Sequence, residues 1–536
     1  MSPPSPLPGW PPRDAEHLLV RAEQMASLEE ALFASGLPVE ALMEKAALAV
    51  ARRLQQEEPP GPVLVLVGPG HNGGDGLVVA RELHLAGWPV RIWCPWSRLK
   101  PLTEAHRRHA AWLGIPALEG EPDPADPVLW IDALFGVGQN RRLEASLEDL
   151  LERRQRQRPG RLLAIDLPSG LCSDTGRPLG RVAATARVTY CLGLLKQGLL
   201  QDPALRHVGR LVRIDLNLPG SLLEGLPAGQ PLAVGGESAA ADLASLPLPE
   251  AEPAAAKYGR GRLLVIAGST AYRGAAALAL AGASGSGVGS LRACLPRELA
   301  ESLWQSLPHV VVQEALPATA AGGLALAPPP PELLARLDAV VLGPGLGQAA
   351  AAAEGGAQAR ERACWEALEA FAGLLVLDAD GLNRLGDPGW MARRAGPTWI
   401  TPHHGEFARL FPDLAPLPPL EAALRAAERA GCTVLLKGAR TVVAAPDGRR
   451  WQLRRAWPEA ARAGMGDVLA GLAGGLGARA WGTGLAPEAL PPLLAGSALV
   501  HAEAAGLVVH RHGAEAAAPA AVAQALPEVM KVKKSP

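Results

Sequence analysis

Cysteine is scarce in this 536-residue sequence, and the six cysteines present include no CxxC pair. Their scattered positions argue against a disulfide framework or a zinc site and predict a reducing, cytoplasmic environment. An excess of charge is also lacking, because 52 Lys and Arg residues balance 53 Asp and Glu residues. No broad field therefore attracts nucleic acid or an anionic membrane, and any bound phosphate must be held by local features.

Two kinds of apolar segment are missing as well. The start lacks the apolar stretch of a secretion signal, and no uninterrupted run of about 18 apolar residues predicts a membrane helix. A chain of 536 residues is too long for one ordinary core, so at least two domains are expected. The proline-rich residues 1–14 predict a disordered tail. The density of Pro and Gly in 219–253 predicts a linker at 222–240 between domains spanning 15–221 and 241–530.

Apolar segments with the length of buried strands alternate with helical stretches in both predicted domains. In the first domain the predicted strands lie in 63–68, 89–94, 128–136, 161–170 and 186–193. In the second they lie in 262–269, 339–347, 374–383, 398–406 and 433–444, followed by helices at 466–481 and 486–508. This alternation predicts an α/β protein of two three-layer α/β/α domains, each with a mainly parallel sheet whose strand carboxyl ends share one edge.

The segment 68–76, GPGHNGGDG, joins the first predicted strand to a helix. Its glycines permit close approach of backbone N–H groups to phosphate, although a tight turn is the alternative interpretation. It fits the GxGxxG fingerprint, but no acidic residue ends the next strand, which disfavours a hydride-transferring Rossmann enzyme. Asp132 and Asp166 each follow an apolar strand and are predicted to face the same crevice, as cation ligands or proton-transfer groups. A helix cap or turn is the alternative for either residue.

Three segments, GPGHNGGDGLVVAREL, DALFGVGQNR and IDLPSGLCSDTG, together resemble the NAD(P)HX epimerase family over most of residues 15–220. The resemblance implies a Rossmann-like domain that binds hydrated NAD(P)H and a potassium ion. It implies that Asp166 is the catalytic acid–base group, at the nicotinamide end, and that the potassium ligands are Asn72, Asp132 and Ser169. The implied substrate-binding residues are His71, Asn72, Gly73, Gly74, Asp75, Gly136, Val137, Gly138, Gln139, Asn140, Arg141, Arg142 and Asp166. The family usually has Asn where this chain has His71.

In the second domain, AGMGDVLAG (463–471) combines a glycine-rich turn with an aspartate at a predicted helix start. A helix N-terminus offers N–H groups and partial positive charge to a phosphoryl oxygen. Asp467 beside it is placed to take a proton from an attacking hydroxyl, which suits phosphoryl transfer. The alternative interpretation is a helix-capping aspartate.

Five further motifs follow apolar strands in the order GSTAYRGAA, GPGLG, DADGLN, TPHHGE and KGART. The set resembles the ribokinase-like fold, and within it the ADP-dependent NAD(P)HX dehydratase family, over about 255–525. The resemblance implies magnesium with ADP or ATP, and Asp467 as the catalytic base. It implies substrate contacts at Ala275, Gly345, His403 and Asp467, and nucleotide contacts at Lys437, Gly438, Ala439, Arg440, Thr441 and Gly466. Met465 stands where the family has a small hydroxyl residue.

Together the two resemblances imply repair of hydrated NAD(P)H. One domain would interconvert the R and S forms of NAD(P)HX, and the other would dehydrate the S form with ADP or ATP as phosphoryl donor. The alternative is a vitamin-precursor kinase of the ribokinase-like fold, joined to a non-catalytic binding module like those of RNA-decapping scaffolds. The expected partners are small molecules, without nucleic acid or membrane, and the expected assembly is a homo-oligomer.

Overall fold

The computed structural model describes residues 9–248, 257–351 and 354–531. The chain divides into two compact units. The N-terminal unit comprises residues 13–230, and the C-terminal unit comprises residues 231–536 together with residues 1–12. The division falls inside the segment predicted as a linker. That segment carries regular structure, because it contains a strand and parts of two helices.

The N-terminal unit is built on a six-stranded parallel sheet in the order β3-β2-β4-β5-β6-β8, and β1 and β7 form a separate parallel pair. Five of the six strands in the sheet are the five predicted from the sequence, and the sixth is β8. In chain order the elements are β1 (Leu19–Val20), α1 (Ala22–Ala34), α2 (Val39–Glu57), β2 (Val63–Val67), α3 (His71–Leu85), β3 (Val90–Trp93), α4 (Pro101–Trp112), β4 (Leu129–Ala133), α5 (Ala145–Gln157), β5 (Leu162–Ile165), β6 (Val188–Leu192), β7 (Leu195–Lys196), α6 (Leu205–Val208), β8 (Arg210–Ile214) and α7 (Gly220–Glu224).

The strand order creates a crevice between β2 and β4. The chain passes from β2 to β3 on one side and then returns across β2 to β4. Connections that leave in opposite directions open a gap at the carboxyl ends of these two strands, where doubly wound sheets bind ligands. Helix α3 begins in this gap at His71, earlier than the predicted start at Leu77, so the glycine-rich segment forms its first turns. Its close packing needs glycine, because a Cβ on Gly73 would lie 1.9 Å from the Gly68 carbonyl oxygen.

The C-terminal unit is built on a ten-stranded sheet in the order β12-β11-β10-β13-β14-β15-β16-β17-β18-β9. It is parallel from β12 to β16, and β17 runs antiparallel to both of its neighbours. The elements are β9 (Leu232–Val234), α8 (Ala239–Ser245), β10 (Arg262–Ile266), α9 (Arg273–Gly285), β11 (Ser290–Pro296), α10 (Arg297–Ser302), β12 (Val311–Leu316), α11 (Pro331–Leu334), β13 (Ala339–Leu342), α12 (Gly355–Ala370), β14 (Leu374–Leu377), α13 (Ala379–Arg384), α14 (Trp390–Arg393), β15 (Thr398–Ile400), α15 (His404–Leu410), α16 (Pro419–Ala430), β16 (Thr433–Leu436), β17 (Val442–Ala444), β18 (Arg450–Leu453), α17 (Met465–Trp481), α18 (Pro491–His512) and α19 (Pro519–Val529).

The crevice of this second sheet lies between β10 and β13, because the chain fills the β11–β12 side first and then returns to β13. The five sequence motifs follow β10, β13, β14, β15 and β16, so the parallel order brings them to one edge. The predicted strand over 433–444 is in fact two antiparallel strands, β16 and β17, joined by the KGART turn. Polar turn residues interrupt the apolar run, which explains the division.

One helical segment, Pro487–His512, is long and apolar enough to cross a membrane by length and composition alone. The sequence-based expectation of no membrane helix, which rested on the lack of an uninterrupted apolar run, stays a prediction. Small residues such as Gly496 and Ser497 interrupt the apolar run without making it polar. Within the unit 72% of the apolar window is buried, which is typical of a core helix.

Residues 9–12 correct the prediction of a disordered tail over 1–14; residues 1–8 lie outside the described residues. Trp10 is 4% exposed and packs in the core of the C-terminal unit. Its indole N–H donates to the Asp242 carbonyl at 2.8 Å, and the Trp451 indole N–H donates to the Trp10 carbonyl at 2.9 Å. The proline content of this segment predicted disorder. Burial of the large Trp10 side chain, with its indole hydrogen-bonded, stabilises an ordered conformation instead.

We expect Trp10→Ala to lower the free energy of unfolding of the C-terminal unit by about 3–5 kcal/mol, the usual cost of removing a buried Trp. The unfolding of residues 13–230 should not change. Calorimetry combined with hydrogen exchange resolved by segment measures both effects. Trp112→Ala is the matched control, because Trp112 is 79% exposed. Equal stability of the Trp10 and Trp112 variants would contradict the assignment of Trp10 to this core.

Candidate active sites

The site of the N-terminal unit begins at the first turn of α3. Asn72 and Asp75 are buried there, whereas His71 is exposed. The Asn72 Nδ2 group donates to the Ile165 carbonyl at 3.3 Å. Its Oδ1 atom is buried with no hydrogen-bond partner among the described residues. A buried amide oxygen without a donor points to a group that the protein itself does not supply.

Asp132 and Ser169 form a buried pair beside this turn. Both are 0% exposed. One oxygen of Asp132 accepts the Ser169 hydroxyl at 2.7 Å, and the other accepts the Ser169 N–H at 2.8 Å. Burial raises the pKa of Asp132, although the Ser169 hydrogen bonds oppose that shift. Amide, carboxylate and hydroxyl oxygens are ligands suited to a hard cation, so the residues present fit a potassium ion.

Asp166 follows β5 with a left-handed backbone, φ +66°. Non-glycine residues rarely adopt this conformation, and such strain is concentrated at functional sites. Its Oδ2 atom accepts the Val137 N–H at 2.8 Å, and its Oδ1 atom accepts the Lys196 ammonium at 2.6 Å. A Cβ on Gly136 would lie 3.0 Å from Oδ2 and 3.4 Å from the Asn72 Cβ. Gly136 and Val137 therefore lie against Asp166.

The rest of the predicted substrate loop has two roles. Gln139 braces the neighbouring turn, because its Nε2 group donates to the Leu171 carbonyl at 3.0 Å and its Oε1 atom accepts the Gly170 N–H at 2.7 Å. The exposed residues of the loop are Gly138, Asn140, Arg141 and Arg142. These four residues are accessible to a ligand, but the structure does not bring them into contact with Asp166.

Sequence reasoning missed Lys196 and Glu29. Burial lowers the pKa of Lys196, but attraction to Asp166 and Cys191 outweighs burial, and the pKa is raised. The pKa of Glu29 is also raised, by burial first and then by repulsion from Asp166. Burial, with repulsion from Asp166 and Glu29, raises the pKa of Asp75 well above its usual value. In the sequence, the sign of Lys196 was a single Lys within the apolar stretch around 190–200. No sequence feature pointed to Glu29.

The site of the C-terminal unit is organised by the start of α17. Gly464 precedes it with φ +95°, and a Cβ there would meet the Leu278 side chain at 2.6 Å. The Met465 side chain is buried in the core. Burial and repulsion from Asp378 raise the pKa of Asp467 to about 7, although Lys437 opposes the shift. A carboxyl with a pKa near neutrality is suited to proton transfer.

A polar cluster lies next to this helix start. The Lys437 ammonium donates to Asp378 Oδ1 at 2.7 Å, and the Thr401 hydroxyl donates to the same oxygen at 2.8 Å. Glu406 Oε2 lies 4.0 Å from the ammonium. Burial lowers the pKa of Lys437, but attraction to Asp378 and Glu406 outweighs it. A Cβ on Gly466 would lie 3.2 Å from the Lys437 Nζ atom, so a side chain there would press on the cluster.

A cavity of about 790 Å³ opens at the carboxyl edge of this sheet. Its walls include three of the four predicted substrate residues, Ala275, Gly345 and Asp467. The other lining residues are Tyr272, Gly347, Gln348, Ala349, Asp380, Asn383 and Arg384. The motifs DADGLN and TPHHGE contain Asp378, Asp380, Asn383 and Glu406, but the sequence did not distinguish these residues from their neighbours. Their positions after strand ends were the available signal.

His403 is placed differently from the other predicted substrate residues. It is not among the residues that line the cavity, and its ring caps α15 by accepting the Gly405 N–H at 2.9 Å. In the predicted nucleotide segment, Lys437 joins the polar cluster and Arg440 is buried. The exposed part of that segment is Gly438 and Ala439, and the Thr441 hydroxyl donates to the Gly438 carbonyl at 3.4 Å.

Comparisons with known proteins agree on both units. The family described as NAD(P)H-hydrate dehydratase matches residues 263–528, and the YjeF-related protein N-terminus family matches residues 39–198. A bifunctional NAD(P)H-hydrate repair enzyme of Gloeobacter violaceus is 44% identical over 92% of this chain and 94% of its own length. A protein of the same description from Synechocystis is 42% identical over 85% of each chain. A crystal structure of an ADP/ATP-dependent NAD(P)H-hydrate dehydratase from Bacillus subtilis, co-crystallised with ATP and Mg²⁺, is 25% identical, covers 55% of this chain and 96% of its own, and has a TM-score of 0.43.

Each unit is thus an α/β domain with a glycine turn and an aspartate in the crevice at the carboxyl edge of its sheet. Each also matches one of two fused enzyme families. The chain belongs to the bifunctional NAD(P)H-hydrate repair enzymes. Membership of this family does not favour the alternative of a vitamin-precursor kinase with a non-catalytic N-terminal module.

Asp467→Asn should raise the stability of the C-terminal unit at alkaline pH. The pKa of Asp467 is about 7 in the folded unit, against 3.8 for an unperturbed Asp. Between these values the unfolded chain releases the proton first, so ionisation lowers stability progressively from about pH 4 to 7 and by a constant amount above. Asn does not ionise. The melting temperature of the variant should exceed that of the wild type at pH 8, and the gap should vanish near pH 4.

Calorimetry at both pH values measures this gap. Asp413→Asn is the control, because the hydrogen bond from Arg429 lowers the pKa of Asp413, so removing its charge should not stabilise the unit at pH 8. A gap for Asp467→Asn that is the same at pH 4 and pH 8 would contradict the burial argument.

Proposed function

We propose that this chain repairs hydrated NAD(P)H at two separate sites. The N-terminal unit interconverts the R and S epimers at C6 of the nicotinamide ring, and the C-terminal unit dehydrates the S epimer with ADP or ATP. The observation that carries the proposal is the placement of Asp166 and Asp467. Each lies in the crevice of its own sheet, in surroundings that suit a proton-transfer group.

Epimerisation needs only a proton shuttle. The Asp166 carboxylate accepts the proton of the C6 hydroxyl and passes it to N1 of the ring. The C6–N1 bond breaks, its electrons stay on N1, and C6 becomes an aldehyde. Rotation about the C5–C6 bond and closure in the reverse sense give the other epimer. No oxidant, reductant or nucleotide is consumed, which fits a site built from one hydrogen-bonded carboxylate.

A potassium ion fits beside this carboxylate. Asn72, Asp132 and Ser169 would hold it, and the unpartnered Asn72 oxygen supports this assignment. When bound, the cation supplies positive charge for the phosphate or hydroxyl oxygens of the substrate. The protein itself contributes the turn of α3, whose N–H groups face the crevice, and Gly136, which leaves room at Asp166.

Dehydration needs a better leaving group than hydroxide. Asp467 takes the proton of the C6 hydroxyl while the hydroxyl oxygen attacks the terminal phosphorus of the nucleotide, and the bridging P–O bond breaks. The C6–O bond of the resulting phosphate ester then breaks, and inorganic phosphate leaves with the bonding electrons. C5 loses a proton to solvent, and the electrons of that C–H bond restore the C5–C6 double bond of NAD(P)H. The start of α17 and Lys437 supply N–H groups and charge for phosphoryl oxygens. Magnesium would accompany the nucleotide and neutralise phosphate charge.

A cytoplasmic location accords with the six free cysteines of the chain. The homo-oligomeric state stays a prediction, as does the choice between NADHX and NADPHX. The donor, ADP or ATP, is decided by the assay below.

Separated epimers test the two activities independently. The full chain with S-NADHX and ADP or ATP should restore absorbance at 340 nm, the band of reduced nicotinamide, and should also consume R-NADHX. Asp166→Asn should abolish use of the R epimer and leave use of the S epimer intact, because only the proton shuttle is lost. Asp467→Asn should slow use of both epimers by about two to four orders of magnitude.

The activities of the wild type and the variants on the two epimers together show which part of the proposal is wrong. Wild-type protein that uses neither epimer would overturn the repair proposal as a whole. An Asp166→Asn variant that consumes the R epimer at the wild-type rate would remove Asp166 from the mechanism. The Trp112→Ala variant, altered at an exposed residue outside both sites, serves as a control for the handling of mutant proteins.

The potassium assignment is tested by Asn72→Ala. Loss of the unpartnered oxygen removes one ligand, so the potassium concentration that half-saturates epimerisation should rise about tenfold or more. The melting temperature of residues 13–230 should also respond less to KCl than that of the wild type, with NaCl as reference. Unchanged potassium dependence in both measurements would contradict the assignment of Asn72 as a potassium ligand.

A further inference from the structure

Lys196 is a buried lysine that the two implied reactions leave without a role. It ends β7 and is 1% exposed. Its ammonium donates to Asp166 Oδ1 at 2.6 Å and to the Leu192 carbonyl at 2.6 Å, and it lies 3.6 Å from the Cys191 sulfur. These contacts hold the ammonium in one place. Burying a charge is costly unless it is paired, so the position calls for an explanation.

The contact with Asp166 is specific in geometry. Lys196 takes one oxygen of the carboxylate, and the Val137 N–H takes the other at 2.8 Å. The carboxylate is thus held between a buried cation and the loop that lines the proposed substrate site. With both oxygens engaged and the backbone at φ +66°, its orientation is fixed before any ligand arrives.

The surrounding charges make the cation necessary. Asp75 on α3 and Glu29 on α1 both interact with Asp166 by repulsion. Carboxyl groups that are buried close together repel one another unless a cation lies among them. Only one of the three, Asp166, is in hydrogen-bond contact with the ammonium. The contact therefore distinguishes Asp166 from the other two carboxyl groups.

We propose that Lys196 is the positioning residue of the epimerase site, which holds the Asp166 carboxylate in the orientation that accepts the C6 hydroxyl proton. The inference rests on the proposed epimerase function. Lys196 itself does not touch substrate, because its ammonium is enclosed by Asp166, Leu192 and Cys191. Its removal should therefore act on the rate of proton transfer and not on binding.

The test uses the full chain and separated epimers. Lys196→Met should lower kcat for epimerisation by about 100-fold or more, with KM changed less than about threefold. Dehydration of the S epimer by the same preparation should be unchanged, since it occurs in the other unit. Lys45→Met is the matched control, because the Lys45 ammonium donates to the Leu216 carbonyl at 2.6 Å and to no carboxylate. It should epimerise at the wild-type rate.

Chemical rescue separates a charge effect from a structural one. Lys196→Ala leaves space for a small ammonium ion. Ethylammonium should therefore raise the kcat of this variant at least tenfold, whereas tetramethylammonium, which has no N–H donor, should not raise it. Lys196→Arg, which keeps the charge, should retain more activity than Lys196→Gln. If Lys196→Met does not fold, the Ala and Arg variants decide the question in the same way.

Two results would overturn the inference. One is wild-type kcat in Lys196→Met. The other is a loss of kcat in a folded variant that neither ethylammonium nor Arg relieves. Failure of the proposed function looks different, because wild-type protein would then not interconvert the epimers at all. An inactive Asp166→Asn variant beside an active Lys196→Met variant would reject the role of Lys196 and leave the epimerase function in place.

Discussion

Close backbone approach at glycine positions is the constraint on which both sites depend. In the N-terminal unit, the packing of Gly73 against Gly68 allows α3 to start within the crevice. In the C-terminal unit, a Cβ on Gly471 would lie 1.8 Å from the Ala279 carbonyl oxygen, and a Cβ on Gly282 would lie 2.1 Å from that of Val468. Helices α9 and α17 therefore pack backbone to backbone. This contact fixes the position of the first turn of α17 relative to α9, and with it the position of Asp467.

The two aspartates are held in opposite electrostatic surroundings. Asp166 is paired with the buried ammonium of Lys196. Asp467 is partly buried and has carboxylate neighbours, and both effects raise the pKa of Asp467 to about 7, while Lys437 is engaged by Asp378. The first arrangement suits a carboxylate that exchanges one proton between two atoms of the same substrate. The second suits a base that must hold a proton after phosphoryl transfer and release it to solvent near neutral pH.

The sequence predicted the parts of the fold that repeat and missed the parts that depend on tertiary contacts. Apolar strand segments followed by glycine or aspartate identified both sheets and the loops at their carboxyl edges, because strand direction alone brings these loops together. Trp10 was assigned to a disordered tail, since only its docking into a distant core reveals its role. Lys196 was missed for a similar reason: it lies 30 residues from Asp166, and their contact exists only in the folded unit.

The difference between the sites also explains why only one of them needs a nucleotide. The epimers at C6 differ in configuration but not in the bonds they contain, so their interconversion requires a lower barrier and no driving force. In the proposed mechanism, a fixed carboxylate that moves one proton lowers that barrier without a nucleotide. Dehydration must expel hydroxide, a poor leaving group, and phosphoryl transfer supplies both a better leaving group and the free energy to proceed. Because the second step removes one epimer continuously, the first is drawn toward that epimer by mass action. A single chain that carries both sites can therefore repair the whole mixture while nucleotide is consumed at one site only.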